Sequence, residues 1–242
     1  MEVQHDRNVI YRCVPRENLE INKYWMCDEG RFNYHTLQDE KRVVYPTVLE
    51  AGSLQAVSWT KAIESVKQAT SSDKVGVLLG TDLTQEELSL AVEFLAKRLS
   101  KAEIFHFGTP GIKTVSDDKE EDAILKMKSK TANLNGAEQL GIRPFAGEKY
   151  STYIVFSGGR ATIPQLPSNA TSIGVGVFMA DRLDSIKLIL PGAGFAEKDG
   201  TVFNKDGIKQ HYRRAIMPPR NSKYLSEIFM IWANATGKSE NE

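Results

Sequence analysis

Apolar and polar positions along the chain follow two periods, which together predict alternating strands and helices. Residues 8–14 are rich in branched and aromatic side chains and end at Pro15, a pattern typical of an edge strand. Residues 74–80 and 102–107 are two further short apolar runs, and residues 84–99 between them have the helical period. A strand, a helix and a strand in so short a stretch require a crossover, which favours a parallel sheet.

The helix between those two strands has the clearest start signal in the chain. Thr84 and Glu87 have the spacing of a capping box, in which each side chain accepts a hydrogen bond from the backbone of the other residue. The apolar positions that follow lie on one helical face: Leu88, Ala91, Val92, Leu95 and Leu99.

The later segments continue the alternation. Helical spacing also links Ala62, Ile63 and Val66, and it links Leu225, Ile228, Phe229 and Trp232 in a final helix over 223–235. Strands are predicted for the apolar runs 152–157, 172–179 and 185–190. Other predictions are a short helix or turn at 180–184, a loop over 131–147 with a short helix at 137–140, and a charged surface stretch with a short helical pattern over 113–130. The fold class we predict is a layered α/β fold with a mostly parallel sheet and flanking helices.

Composition and charge narrow the class of protein. The chain has 242 residues, 41% of them hydrophobic and 26% charged, which is ordinary for a globular protein with a real core. Its 31 basic and 31 acidic residues balance, so nothing favours nucleic acid as a partner through long-range electrostatics. There is no signal-peptide pattern and no long apolar run, and the two cysteines do not make a disulfide framework. We therefore expect a cytosolic protein. Because residue 8 already begins a strand, we also expect a piece of a longer protein.

Two glycine-containing loops are the candidates for anion binding. Gly80 to Thr84 follows a predicted strand, but its single glycine and its Asp82 make an ordinary helix-capping loop the favoured interpretation. Ser157 to Arg160 has paired glycines and an arginine that could pair with an anion, although a simple strand-end turn is the favoured alternative.

No catalytic or metal-binding arrangement follows from the residues. The histidines are scattered at positions 5, 35, 106 and 211, and His106 is expected to be a core residue because it lies in a predicted buried strand. Cys13 and Cys27 by themselves cannot hold an iron–sulfur cluster, which normally takes four thiolates. A hydrolase motif is also missing.

Three stretches of the chain carry a family resemblance. Residues 14–22 with 25–32, residues 131–141, and residues 190–204 with Gly207 and 212–215 occur in family order. They resemble the G-type subunit of bacterial NADH-quinone oxidoreductase, which is related to the molybdopterin oxidoreductases and shares the late stretch with formate dehydrogenases. In that late stretch, Asp199, Gly200 and Asn204 also have a purely local interpretation as turn formers.

The resemblance implies a reduced molybdopterin oxidoreductase-like domain, divided into a β-rich segment at 1–45 that follows an iron–sulfur region and an α/β relic domain at 46–242. It implies a non-catalytic scaffold in the NADH-oxidising arm of an NADH-quinone oxidoreductase (complex I), with the other peripheral-arm subunits as partners at the inner face of the cell membrane. The iron–sulfur clusters are expected in the parent protein, and this chain alone is expected to hold no cofactor.

Cys27 is the one metal-ligand candidate that the resemblance supplies. It matches a position at which some family members place the fourth cysteine of a cluster, and a small apolar core residue is the equally favoured alternative. Two other functions stay open for the whole chain. One is a cofactor-binding, formate dehydrogenase-like domain that uses 157–160 and 198–204 to contact a nucleotide. The other is an accessory subunit of an NAD-linked hydrogenase or formate dehydrogenase complex.

Overall fold

The structure is a computed structural model that describes residues 1–50, 52–71, 74–108, 132–183 and 186–235. These residues form twelve strands: β1 (Glu2–Asp6), β2 (Val9–Val14), β3 (Thr47–Glu50), β4 (Ser53–Ala56), β5 (Val75–Gly80), β6 (Glu103–Phe107), β7 (Arg143–Pro144), β8 (Thr152–Ser157), β9 (Thr171–Gly176), β10 (Leu188–Pro191), β11 (Gly200–Phe203) and β12 (Lys209–Tyr212). They also form six α-helices: α1 (Asp28–Phe32), α2 (His35–Gln38), α3 (Trp59–Thr70), α4 (Gln85–Arg98), α5 (Leu134–Gln139) and α6 (Leu225–Asn234). Two short 3₁₀ turns are at Ala180–Arg182 and Phe195–Glu197.

Eight of the strands form one mixed sheet, in the order β4-β3-β10-β9-β8-β5-β6-β7. The six strands from β10 to β7 pair in parallel, whereas β3 is antiparallel to both β10 and β4. The predicted α/β class with a mostly parallel sheet is confirmed. The predicted stretch 113–130 lies outside the described residues.

The two faces of the sheet are covered differently. Val77 and Leu79 of β5 point to a core that α3, α4 and α6 close with Ile63, Leu88 and Trp232. On the other face, residues from connecting segments pack against the sheet, among them Val43, Leu166, Phe178 and Leu183. Because the buried parallel strands are covered on both faces, their sequences are continuous apolar runs.

Helix α4 begins as the sequence predicts. The hydroxyl of Thr84 accepts a hydrogen bond from the amide of Glu87 at 3.1 Å, and the amide of Thr84 donates to the carboxylate of Glu87 at 3.0 Å. Leu88, Ala91 and Leu95 are fully buried. The capping box therefore fixes the entry of the chain into the helix directly after the carboxyl end of β5.

Some predicted boundaries move. The strand predicted for 172–179 ends at Gly176, where φ is +126°, a backbone conformation that ends regular pairing. The final helix is two residues shorter at its start than the predicted 223–235. The short helix predicted at 137–140 is α5, which begins earlier, at Leu134. The short strands β3, β4, β11 and β12 were outside the sequence prediction, because four residues carry too little periodicity to be recognised.

The N-terminal segment packs against the late part of the chain. The hairpin of β1 and β2 and the segment of α2 bury a small core that contains Ile10, Cys13, Tyr34 and Leu37, together with Ala196 and Ile216. The division of the chain at residue 45 stays a prediction from the sequence. Among the described helices, none combines the length and the apolar character that crossing a bilayer requires.

Candidate functional site

The two loops singled out from the sequence lie side by side at the carboxyl edge of the parallel sheet, because β5 and β8 are neighbouring strands. The carboxylate of Asp82, in the first loop, accepts hydrogen bonds from the amides of Arg160 and Ala161 at 2.7 and 2.9 Å. These amides belong to the turn considered as an anion-binding loop. An internal carboxylate therefore occupies the donors that an external anion would use.

Close backbone approach makes this arrangement possible. A Cβ atom added at Gly158 would lie 2.8 Å from the carbonyl oxygen of Asp82, and one added at Gly80 would lie 2.9 Å from that of Phe156. Gly159 adopts a φ of +97°, which favours glycine. The paired glycines thus serve the contact between two loops of the same chain. The second oxygen of Asp82 is buried and has no hydrogen-bond partner among the described residues.

Lys198 forms an internal ion pair at this edge. Its ammonium group lies 2.6 and 2.8 Å from the two carboxylate oxygens of Glu87 and donates to the carbonyl oxygen of Ala193 at 3.1 Å. Glu87 is the same residue that caps α4. The charge of Lys198 is therefore neutralised by a residue at the start of that helix.

Arg42 and Glu197 form a second internal ion pair, which is almost completely buried. The two guanidinium nitrogens lie 2.6 and 2.7 Å from the two carboxylate oxygens, and the side chains are 1% and 2% exposed. Arg42 also donates to the carbonyl oxygens of Leu37 and Gly192, and Glu197 accepts from the amide of Gly194. This bidentate geometry joins the N-terminal segment to the loop after β10.

The residues from 198 to 204 are held by local and helix contacts. Asn204 accepts hydrogen bonds from the amides of Asp206 and Ile208, and Asp199 accepts one from the amide of Arg214. The bonds of Asn204 confirm its turn-forming interpretation. For Asp199 and Gly200 that interpretation is wrong, because Asp199 binds a residue 15 positions away and Gly200 lies in strand β11.

Glu86, at the start of α4, holds the next residue of that stretch. It accepts hydrogen bonds from the amide and the hydroxyl of Thr201. Burial opposes ionisation of Glu86, yet the hydrogen bonds from Thr201 hold its pKa below the ordinary value. Glu86 is therefore a charged acceptor that fixes β11 against the helix.

A cleft of about 400 Å³ opens beside this network, between the starts of α4 and α6. Its wall carries charges of both signs: Glu86, Glu87 and Asp199 against Lys198 and Arg214. Burial, and then the neighbouring Glu87, raise the pKa of Tyr212, so this phenol stays protonated. The hydroxyl of Tyr224 accepts a hydrogen bond from Arg214 at 2.9 Å.

Comparison with known proteins shows what the chain is related to. It is 30% identical over 120 residues to the 75 kDa subunit of NADH-ubiquinone oxidoreductase from Reclinomonas americana, an alignment that covers 48% of this chain and 17% of that protein. It is 35% identical over 86 residues to the G-type subunit of NADH-quinone oxidoreductase from Streptomyces coelicolor, which covers 34% of this chain and 10% of that protein. The chain is similar to the G-type subunit of NADH-quinone oxidoreductase.

Subunit 3 of the NADH-quinone oxidoreductase from Thermus thermophilus is a third relative, 38% identical over 93 residues, which are 37% of this chain and 12% of that protein. The resemblance stated from the sequence is thus confirmed. The chain spans less than a fifth of the length of these relatives. The chain matches no protein-family model.

The stretches that carry the resemblance to the G-type subunit meet in space. Asn133, which is fully buried, accepts a hydrogen bond from the amide of Phe203 at 2.8 Å. Asn135 donates to the carbonyl oxygen of Asn204 at 2.6 Å. The 131–141 and 190–204 stretches are therefore in direct contact, and the pair of Arg42 with Glu197 links the second of them to the segment after 14–32.

The cysteine that this resemblance singles out lies in the N-terminal segment. Cys27 is exposed and is the N-cap of α1, where its Sγ accepts a hydrogen bond from the amide of Gly30 at 3.3 Å. Cys13 is buried, and burial raises the pKa of its thiol. Within the described residues, no group of three or more histidine, cysteine, aspartate and glutamate side chains has metal-binding geometry.

The sequence did not predict the residues that form the internal ion pairs of this site. Arg42, Glu87 as an ion-pair partner, and Glu197 were not candidates, because their partners are distant in the sequence. The sequence gives no signal that would have separated them, because each lies in a charged run, as Arg42 does at the end of 39–42.

Proposed function

We propose that this chain is a non-catalytic scaffold domain in the NADH-oxidising electron-transfer arm of an NADH-quinone oxidoreductase. Its partners are the other peripheral-arm subunits, at the inner face of the cell membrane, and its sheet is a reduced form of the molybdopterin oxidoreductase fold. Support for the parent complex comes from the relatives named as its subunits. Support for the scaffold role comes from the carboxylate of Asp82, which fills the anion-binding turn at the sheet edge.

The electrostatics of the sheet edge favour this function over cofactor binding. A dinucleotide cofactor presents phosphates, which bind backbone amides and basic side chains at the carboxyl ends of parallel strands. Here Asp82 accepts the hydrogen bond of the loop amide. The buried cations are already paired, Lys198 with Glu87 and Arg42 with Glu197. A phosphate at this place would meet carboxylates in a poorly solvated environment, where repulsion between like charges is strong. The donor set therefore does not fit a pterin dinucleotide.

The test of this proposal is a thermal-shift titration with guanine dinucleotides. A ligand that binds only the native state at about 100 times its Kd adds about 2.7 kcal/mol, which raises the Tm of a chain of this size by about 5 °C or more. We expect no shift for the wild-type chain. A saturable rise in Tm, or stoichiometric molybdenum and pterin in the purified protein, would favour the formate dehydrogenase-like alternative instead.

Asp82→Ala is the matched variant for that titration. It removes the internal carboxylate and leaves the amides of Arg160 and Ala161 without their acceptor. If the internal carboxylate is what excludes anions, the variant binds inorganic phosphate or sulfate at millimolar concentration, and the wild type does not. Equal behaviour of the two proteins would contradict the role given to Asp82.

Assembly is tested separately, with a tagged chain expressed in its own cell and native gel electrophoresis. We expect the chain to migrate with subunits that oxidise NADH and with membrane subunits that reduce quinone. Migration with a nickel or di-iron hydrogenase subunit would favour the accessory-subunit alternative.

We also propose Cys27 as one ligand of an iron–sulfur cluster whose other ligands belong to the parent protein. Its thiol is exposed at the start of α1, so that a cluster held elsewhere can reach it. Cys27→Ala in the parent protein is expected to lower the iron and sulfide content, whereas Cys13→Ala should leave both unchanged. Equal iron content in the two variants would show that Cys27 is not a cluster ligand and acts only as the N-cap of α1.

A further inference from the structure

Positive charge is concentrated in one segment of a chain that is neutral as a whole. Residues 205–223 contain six lysine and arginine residues and one acidic residue, while the complete chain has 31 basic and 31 acidic residues. The segment begins at the turn between β11 and β12, includes β12, and ends just before α6. This segment of the chain therefore has a local positive charge that the net charge conceals.

Three of these cations make no ion pair, side-chain hydrogen bond or cation–π contact within the part of the chain that the structure describes. Lys209, Arg213 and Arg220 are exposed, and no described carboxylate lies within 4.0 Å of their charged groups. We call Lys209, Arg213 and Arg220 the basic face.

The other basic residues of the segment are engaged within the chain. Lys205 lies 3.4 Å from Asp206, and Arg214 donates to the hydroxyl of Tyr224. The ammonium group of Lys223 lies over the ring of Trp59, 5.6 Å from its centre. The basic face differs from these residues in having no such side-chain contact among the described residues.

The backbone that carries the basic face is held in place. The amides of Ala215 and Ile216 donate to the carbonyl oxygen of Ala196 at 2.8 and 3.0 Å. The backbone amide of Met217 donates to the side-chain oxygen of Asn8 at 2.6 Å, and the side-chain amide of Asn8 donates to the carbonyl oxygen of Met217 at 3.1 Å. These hydrogen bonds hold the backbone of the segment in one conformation, which lowers the entropy cost of binding a partner.

Protection of a free strand edge does not explain the basic face. Lysines on edge strands hinder edge-to-edge aggregation, and this accounts for Lys209 in β12. Arg213 and Arg220 lie outside the strand, so edge protection gives no reason for them. The same segment contains two exposed apolar side chains, Ile208 and Met217. Arginine and methionine with a polar rim are the composition of protein–protein interfaces.

We propose that the basic face docks onto an acidic face of a neighbouring protein subunit in the complex. This inference rests on the proposed scaffold function and adds to it the surface and the chemistry of the partner. A protein is favoured over nucleic acid or an anionic bilayer because apolar side chains are interleaved with the cations, and because the neutral chain exerts no long-range pull on a polyanion.

The experiment uses the complex purified through a tag on the full chain. A carbodiimide joins a lysine amine directly to a carboxylate that contacts it, and mass spectrometry then identifies the two residues. We expect cross-links from Lys209 to an aspartate or glutamate of another subunit. The variant Lys209→Glu, Arg213→Glu and Arg220→Glu should weaken association at least about tenfold, because like charges would then face each other.

The control reverses the same number of exposed charges elsewhere, at Lys61, Lys97 and Lys149. It should bind as the wild type does, and equal thermal unfolding of the two variants would show that both fold. Unchanged association of the basic-face variant in an assembled complex would overturn the docking surface and leave the scaffold function standing. If the wild-type chain is not found in the complex, both are overturned. Loss of binding to anionic vesicles or duplex DNA alone would assign the basic face to another polyanion and also overturn the proposal.

Discussion

Arg42 and Glu197 form a bidentate ion pair across 155 positions of sequence, in a place where both side chains are at most 2% exposed. The pair fixes the N-terminal segment to the loop after β10, and its guanidinium group also binds the carbonyl oxygens of Leu37 and Gly192. A charge buried in this way is tolerated only while its partner is present.

Removing one partner should therefore be far more damaging than removing both. We expect Arg42→Ala to lower the free energy of unfolding by about 3–5 kcal/mol, because Glu197 would stay buried without a counterion. The double replacement of Arg42 and Glu197 by methionine should recover much of that loss. Urea unfolding followed by circular dichroism measures both.

The comparison for this prediction is Lys41→Ala, which breaks the exposed ion pair with Asp181. Exposed pairs contribute about 0–1 kcal/mol, so a small loss is expected. A loss at Arg42→Ala no greater than at Lys41→Ala would show that the buried pair does not hold the segment.

Trp232 is the largest fully buried side chain on α6. It packs edge-on against Phe94 of α4, with the ring centroids 5.5 Å apart, and is 2% exposed. Trp232→Ala should cost about 3–5 kcal/mol, since it leaves a cavity between the helices and the sheet. Thermal and urea unfolding measure it. Met230→Ala, on the exposed side of the same helix, should change stability by at most about 0.5 kcal/mol, and similar losses for both variants would contradict the packing described for α6.

The two cysteines should react differently with a thiol reagent. Cys27 is exposed, whereas Cys13 is buried with its thiol pKa raised by burial, so iodoacetamide should label only Cys27 in the native protein. Intact-mass spectrometry is expected to show one adduct in buffer and two in urea. Cys27→Ser should give no native adduct. Rapid labelling of Cys13 would mean that the N-terminal core opens readily.

His106 should make stability depend on pH. Burial lowers the pKa of this imidazole below the ordinary 6.5, so protonation is easier in the unfolded chain. The contribution of neutral His106 to the free energy of unfolding is therefore fully present above about pH 6.5. It decreases as the pH falls from that value towards the lower pKa of the folded state. Urea unfolding from about pH 7.5 to about pH 5.5 should show this loss, and His106→Gln should reduce it. His5→Gln, at an exposed position, should leave the slope unchanged; if it removes the slope instead, His106 is not its source.

The local elements could be predicted because short-range interactions form them. The capping box of Thr84 and Glu87 lies within one helical turn, and the apolar runs at β5 and β8 reflect burial on both faces of the sheet. The burial of His106 also followed from its position in a strand. By contrast, the antiparallel strands β3 and β4 at the sheet edge are too short for their period to be recognised.

By itself, the sequence determined the α/β class, the start of helix α4, and the similarity to the G-type subunit, all of which reside in contiguous residues. The tertiary structure alone decided what the candidate loops do. Asp82 and the amide of Arg160 are 78 positions apart, and a carboxylate can satisfy that amide only after β5 and β8 have paired in parallel. Sequence spacing cannot show such a contact, because the distance between the two groups is set by the register of the sheet.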